Sequence, residues 1–103
     1  MKRTVFNTIR PKDRAAARAL MELPNVGPAV ARDLLAIGVR APADLRARDA
    51  DEMYAALNAF DGVRHDPCCR DVFAALVAFA NGAPARPWWH YTPERKRSVS
   101  AKR

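Results

Sequence analysis

The stretch Leu23-Pro24-Asn25-Val26-Gly27-Pro28-Ala29-Val30-Ala31 holds the residue types best suited to grip an anion. Asn25 tolerates a left-handed backbone better than most residues, and Gly27 tolerates it without steric cost. Val26, between them, is placed to point inward and anchor the bend. Pro28 suits the first position of a following helix, where its missing N–H costs nothing. The free N–H groups at such a helix start, with the helix dipole behind them, make a site for one anionic oxygen. Gly27 leaves room for a phosphate to reach the backbone. Arg32, one turn into the helix, is within reach of a neighbouring phosphate, and Asp33 beside it offsets part of that attraction. Candidate nucleic-acid contacts are therefore Asn25, Val26, Gly27, Ala29 and Arg32. Arg64 in a later loop joins them, as do Arg95, Lys96 and Arg97 near the C-terminus.

Other chemistry has less to build on. Cys68 and Cys69 with His65 and His90 lack the paired spacing of a structural zinc site. The two cysteines point about 100° apart on a helix, so both are expected to serve as small core residues. An exposed thiol near a helix start would instead have a lowered pKa. Ser98 and Ser100 fall in the basic C-terminal stretch, and no Ser/His/Asp set or pair of catalytic carboxylates is evident. The expectation is a protein without catalytic activity, metal or cofactor. Trp88, Trp89, His90 and Tyr91 form the one aromatic cluster. One Trp is expected to fold back over the core. The alternatives are a stacking platform for single strands, aided by Arg86, Arg95 and Arg97, or a homodimer or partner surface through Trp88, Trp89 and Tyr91.

The charge of +7 on 103 residues is unevenly placed. Residues 1–12 carry +4, residues 92–103 carry +4, and the stretch between them carries −1. Basic ends attract polyanions with little selectivity, or simply keep a small protein soluble. The length suits one domain. No apolar run approaches the roughly 20 residues of a membrane span. The basic first residues lead into no apolar core, so no secretory signal is expected. Two adjacent cysteines make no disulfide framework and fit a reducing, cytoplasmic setting.

The elements that must hold these residues are helices. Residues 12–23 are rich in Ala, Arg and Leu, with Ala16, Ala19, Leu20 and Leu23 on one face. Ala29 to Ile37 forms the next helix, and Gly38 is placed to end it left-handed. Residues 42–47 form a short helix. Asp49 and Glu52 have capping-box spacing, opening a helix that buries Met53, Tyr54, Leu57 and Phe60. Asp66-Pro67 opens a last helix over 67–80, apolar nearly all round and therefore central. Residues 1–11 read as an extended arm with Val5, Phe6 and Ile9 available to pack. Residues 93–103 read as a mobile basic tail. The class is all-α, five helices within 12–92.

The frame Leu20, Leu23, Val26, Gly27, Ala31, Leu34 and Gly38 resembles the helix-hairpin-helix motif of non-sequence-specific DNA-binding proteins. Asn25 stands where that motif has its first glycine, and Ala29 where it often has Lys. Leu57 to Phe60, Asp61-Gly62-Val63 and the helix from Pro67 resemble a second, degenerate copy. Two such units about a pseudo-twofold axis imply a SAM-like five-helix domain that tracks a minor groove by shape. More widely, residues 10–95 resemble the small bacterial pathogenicity-locus family, some of whose members are labelled mitomycin-resistance proteins. The shared features include Leu23-Pro24-Asn25-Val26-Gly27-Pro28-Ala29, Asp66-Pro67-Cys68, Asp71-Val72-Phe73 and Pro87-Trp88-Trp89. The C-terminal domain of the competence regulator TfoX is a more distant likeness, through the hairpin half only. The resemblance implies contact with a DNA or RNA backbone and a link to DNA repair or mitomycin resistance.

Overall fold

The computed structural model describes residues 9–101, with side chains described to Lys96. The expected packing of Val5 and Phe6 lies outside the described residues. Among those described there are five α-helices and no strand: α1 (Arg14–Leu20), α2 (Pro28–Ala36), α3 (Ala50–Asp61), α4 (Cys68–Ala80) and α5 (Thr92–Ala101). Short 3-10 turns at Pro11–Asp13, Pro42–Leu45 and Trp88–Tyr91 link them.

The number of α-helices matches the sequence expectation, but the set differs. Pro42–Leu45 is a single 3-10 turn, closed by the Asp44 carboxylate accepting from the N–H groups of Arg40 (3.0 Å) and Ala41 (3.1 Å). The fifth α-helix is instead Thr92–Ala101, where the sequence predicted no helix. The domain edge expected at residue 92 falls at that helix's first residue.

Local signals worked where they were strong. Asp49 caps α3 by accepting from the N–H of Glu52 at 3.1 Å. Asp66 accepts from the N–H of Cys68 at 2.8 Å and so caps α4. Gly38 takes φ +91°, and Val39 N–H donates back to the Leu34 carbonyl at 2.9 Å. Gly82 ends α4 in the same way, at φ +106° with Ala83 N–H on the Ala78 carbonyl. Both are six-to-one closures that need a left-handed residue after the helix.

The core is one cluster drawn from every helix through α4: Ala17 and Leu20, Ala31 and Leu34, Met53 and Leu57, Phe73 and Leu76. Ile9 joins it at 5% exposure, so the described end of the N-terminal arm packs. Three expectations about faces are corrected. In α1 the buried face is Asp13, Ala17 and Leu20; Ala19 is exposed. The helix also stops at Leu20, because Leu23 precedes Pro24 and is disfavoured from helical angles. In α3 the buried series is Met53 and Leu57, followed at the same four-residue step by Asp61; Phe60 is 62% exposed. Phe79 on α4 is also partly open. Neither Trp is in the core, which Tyr91 covers instead.

α5 is fastened by buried charge. Asp71 is fully buried, accepting from Thr92 Oγ1 at 2.8 Å and from Arg95 Nε at 3.0 Å. Its neighbour Arg70 is also buried and donates to Asp51 and Glu94, both at 2.9 Å. Together they tie the start of α5 to α4.

Candidate nucleic-acid interface

The connection between α1 and α2 positions the first candidates. Asn25, Gly27 and Ala29 are exposed, while Val26 turns inward against the core as expected. The left-handed residue of the bend is Asn25 (φ +69°), whose Nδ2 donates to the Arg86 carbonyl at 2.8 Å. Gly27 is extended, at φ −101° and ψ −171°, so the expected left-handed role passes to Asn25 alone. Gly27 precedes Pro28 and supplies no side-chain cap to α2. A Cβ built on it would meet nothing within 4 Å. The space beside the Gly27 Cα, at the opening of α2, is therefore open among the described residues.

The arginines divide into committed and available ones. Arg32 donates to Asp61 from Nη2 at 2.9 Å and from Nη1 at 3.2 Å, and to Asp33 at 2.7 Å. Those two carboxylates raise its pKa above the ordinary arginine value. The Arg32 hydrogen bond in turn holds the Asp61 carboxyl below the usual range, while burial pushes Asp33 up. His65 closes the group with Nε2 at 2.6 Å from Asp61. Arg32 thus joins α2 to the last turn of α3 and is not held toward a phosphate. Arg95 is likewise spent on Asp71. Arg64 and Lys96 are exposed, and neither is paired with an acid among the described residues. Arg97 is on α5, with its side chain outside the described residues.

The loop after α3 is shaped by its own donors: Asn58 Oδ1 accepts from the His65 N–H at 2.8 Å, and Tyr54 donates to the His65 carbonyl. Both thiols are pushed up, Cys68 by its hydrogen bond to Asp66 and Cys69 by burial. The lowered value considered for an exposed thiol is not found, because Asp66 occupies the helix start. Among the described residues no group of three or more His, Cys, Asp or Glu is placed to hold a metal ion. No helix among them is long and apolar enough to cross a membrane. Trp88 and Trp89 meet edge to face at 5.6 Å, with Trp89 62% exposed.

Sequence missed two features that concern this surface. One is the cation–π contact of Arg32 with Phe60, at 6.0 Å from the ring centroid. The other is a groove beyond it, of about 470 Å³, walled by Arg10, Arg40 and Arg32. No local pattern marks either, because the contact joins two separate stretches of the chain and the groove three.

What these elements define is a small all-helical protein with an exposed helix-opening bend. The chain belongs to the pathogenicity-locus family, whose model matches residues 13–97. It is 51% identical over 81 residues to the mitomycin resistance protein McrB of Streptomyces lavendulae, covering 79% of this chain and 77% of that protein. No solved structure matches it.

Proposed function

We propose that this protein is a non-catalytic helix-hairpin-helix module that binds a nucleic-acid backbone without sequence specificity and contributes to mitomycin resistance. The observation that carries the proposal is the open start of α2: Asn25, Gly27 and Ala29 exposed, and no side-chain cap from Gly27. A helix opening of this kind presents N–H donors to an anionic oxygen. Arg64 and Lys96 add exposed charge, and the sequence supplies further cations in Lys2, Arg3 and Arg97. Arg32 and Arg95 leave the set of direct contacts and become positioning residues. The link to resistance rests on the name of the relative that is 51% identical.

The test is a titration of the full chain against duplex DNA at several salt concentrations. Binding should weaken steeply with salt, as phosphate contacts release counterions. Gly27→Glu places a carboxylate at the helix opening without crowding the fold and should abolish it. Binding unchanged by Gly27→Glu would sink the hairpin reading. Expression in a mitomycin-sensitive host, with and without that variant, tests the second half.

The exposed Trp89 supports a second reading, self-association through Trp88, Trp89 and Tyr91. It predicts a dimer in sedimentation that Trp89→Ser dissolves. A monomer at all concentrations would end it.

A further inference from the structure

We propose that the groove between α2, α3 and the N-terminal 3-10 turn takes single-stranded nucleic acid, with one base stacked on Phe60 and the adjoining phosphate on Arg10 and Arg40. The inference rests on the nucleic-acid reading above and adds a strand type and a second site. Three observations carry it.

The first is charge. Arg10, Arg32 and Arg40 border the groove, against Asp13 as its one acid. Asp13 is buried and accepts from Arg40 Nη2 at 2.8 Å and from Arg10 Nε at 3.3 Å. One carboxylate therefore holds two guanidinium groups side by side and leaves a surplus positive charge. Each guanidinium has five N–H donors, so most remain for an incoming oxygen. Arg10 and Arg40 are 71% and 54% exposed at their side chains.

The second is Phe60. It stands 62% exposed on the last turn of α3, although Met53 and Leu57 on the same helix are fully buried. Arg32 lies 6.0 Å from its ring centroid and is itself pinned by Asp61 and Asp33. An aromatic ring fixed beside a cation, in water, is the pairing on which bases stack. A duplex keeps its bases in its own stack, so only an unpaired strand can use it.

The third is size. The groove, of about 470 Å³ with Leu35 in its lining, falls within the ~300–1,000 Å³ of sites that hold small molecules.

The experiment is anisotropy of a labelled oligothymidine and of a duplex of equal length, at low salt, with four chains: wild type, Phe60→Ala, Arg10→Gln and Gly27→Glu. Phe60 and Arg10 are exposed, and Arg40 keeps Asp13 paired when Arg10 is changed, so both variants should fold. Phe60→Ala should weaken the single strand about tenfold and leave the duplex within about twofold. Arg10→Gln should flatten the single-strand salt slope by about 0.7, the loss of one phosphate contact. Gly27→Glu should act on the duplex alone. Single-strand affinity unchanged in Phe60→Ala would overturn the groove and leave the hairpin standing. Single-strand binding that appears only after deletion of residues 1–8 would make the arm the groove's occupant and also overturn it. Absence of binding to either probe would remove the nucleic-acid reading itself.

Discussion

Replacing Asp71 by Ala should cost about 3 kcal/mol, and the structure sets that figure from two sides. Asp71 is fully buried, with Thr92 Oγ1 at 2.8 Å and Arg95 Nε at 3.0 Å. A hydrogen bond to a charged group contributes ~1.5–3 kcal/mol and an ordinary hydroxyl bond ~0.5–1.5 kcal/mol. Breaking a buried pair costs ~3–5 kcal/mol when the survivor stays buried. Arg95 keeps 19% of its side chain exposed and can turn to water, which favours the lower end. Arg70 is buried and keeps Asp51 and Glu94 at 2.9 Å, but its Nη1 has no hydrogen-bond partner and would lose the Asp71 carboxylate 3.8 Å away. The loss should lower Tm by roughly 12–24 °C, at ~4–8 °C per kcal/mol for a domain of this size. Urea unfolding followed by far-ultraviolet circular dichroism and by tryptophan emission would measure it. Trp88 and Trp89 stand in the turn leading into α5, so their emission should change before helix content does. Asp51→Asn is the control: Asp51 is half exposed and Arg70 retains Glu94, so the cost should stay below about 1 kcal/mol. An Asp71→Ala midpoint within about 0.5 kcal/mol of wild type would show that the clasp does not hold α5.

Three further outcomes can be checked together. Gly27→Ala should be neutral or stabilising by up to about 1 kcal/mol, since its φ is negative and its Cβ space empty, whereas Gly82→Ala at φ +106° should cost about 1–2 kcal/mol; thermal unfolding of the pair decides it. Asp61, Asp13 and Glu52 are held low by Arg32, Arg40 and Arg48 respectively, so their contribution is complete above the ordinary carboxylate range of about pH 4 and is lost as pH falls through their lowered values. Asp33, pushed up by burial, acts in the opposite sense over the range just above pH 4, so urea midpoints should drop mainly below about pH 4, and Asp61→Asn should flatten that drop. Both thiols are pushed up, so alkylation should be slow at neutral pH and rise only above the ordinary thiol range of about pH 8.5; rapid neutral labelling would contradict the geometry at Asp66.

What the sequence determined by itself was set by interactions a few residues long. Proline at a helix start, Asp49 and Asp66 as caps, Gly38 as terminator and Val26 as the inward anchor of a bend all depend on neighbours within a turn. So the helices through α4, and the exposed opening of α2, could be read from residue order. Charge partners could not. Arg32 meets Asp61 across 29 positions and Arg95 meets Asp71 across 24, and no local pattern encodes such pairs. The fifth helix shows the same limit. Glu94 and Arg95 look like solvated charge in sequence and become anchors only because α4 offers Arg70 and Asp71. Phe60 is the converse, since helical spacing placed it inward with Leu57. Asp61, drawn in by Arg32, takes the covered place in the last turn, and the ring is left in water. Burial is a property of what surrounds a residue, and only the assembled chain supplies those surroundings.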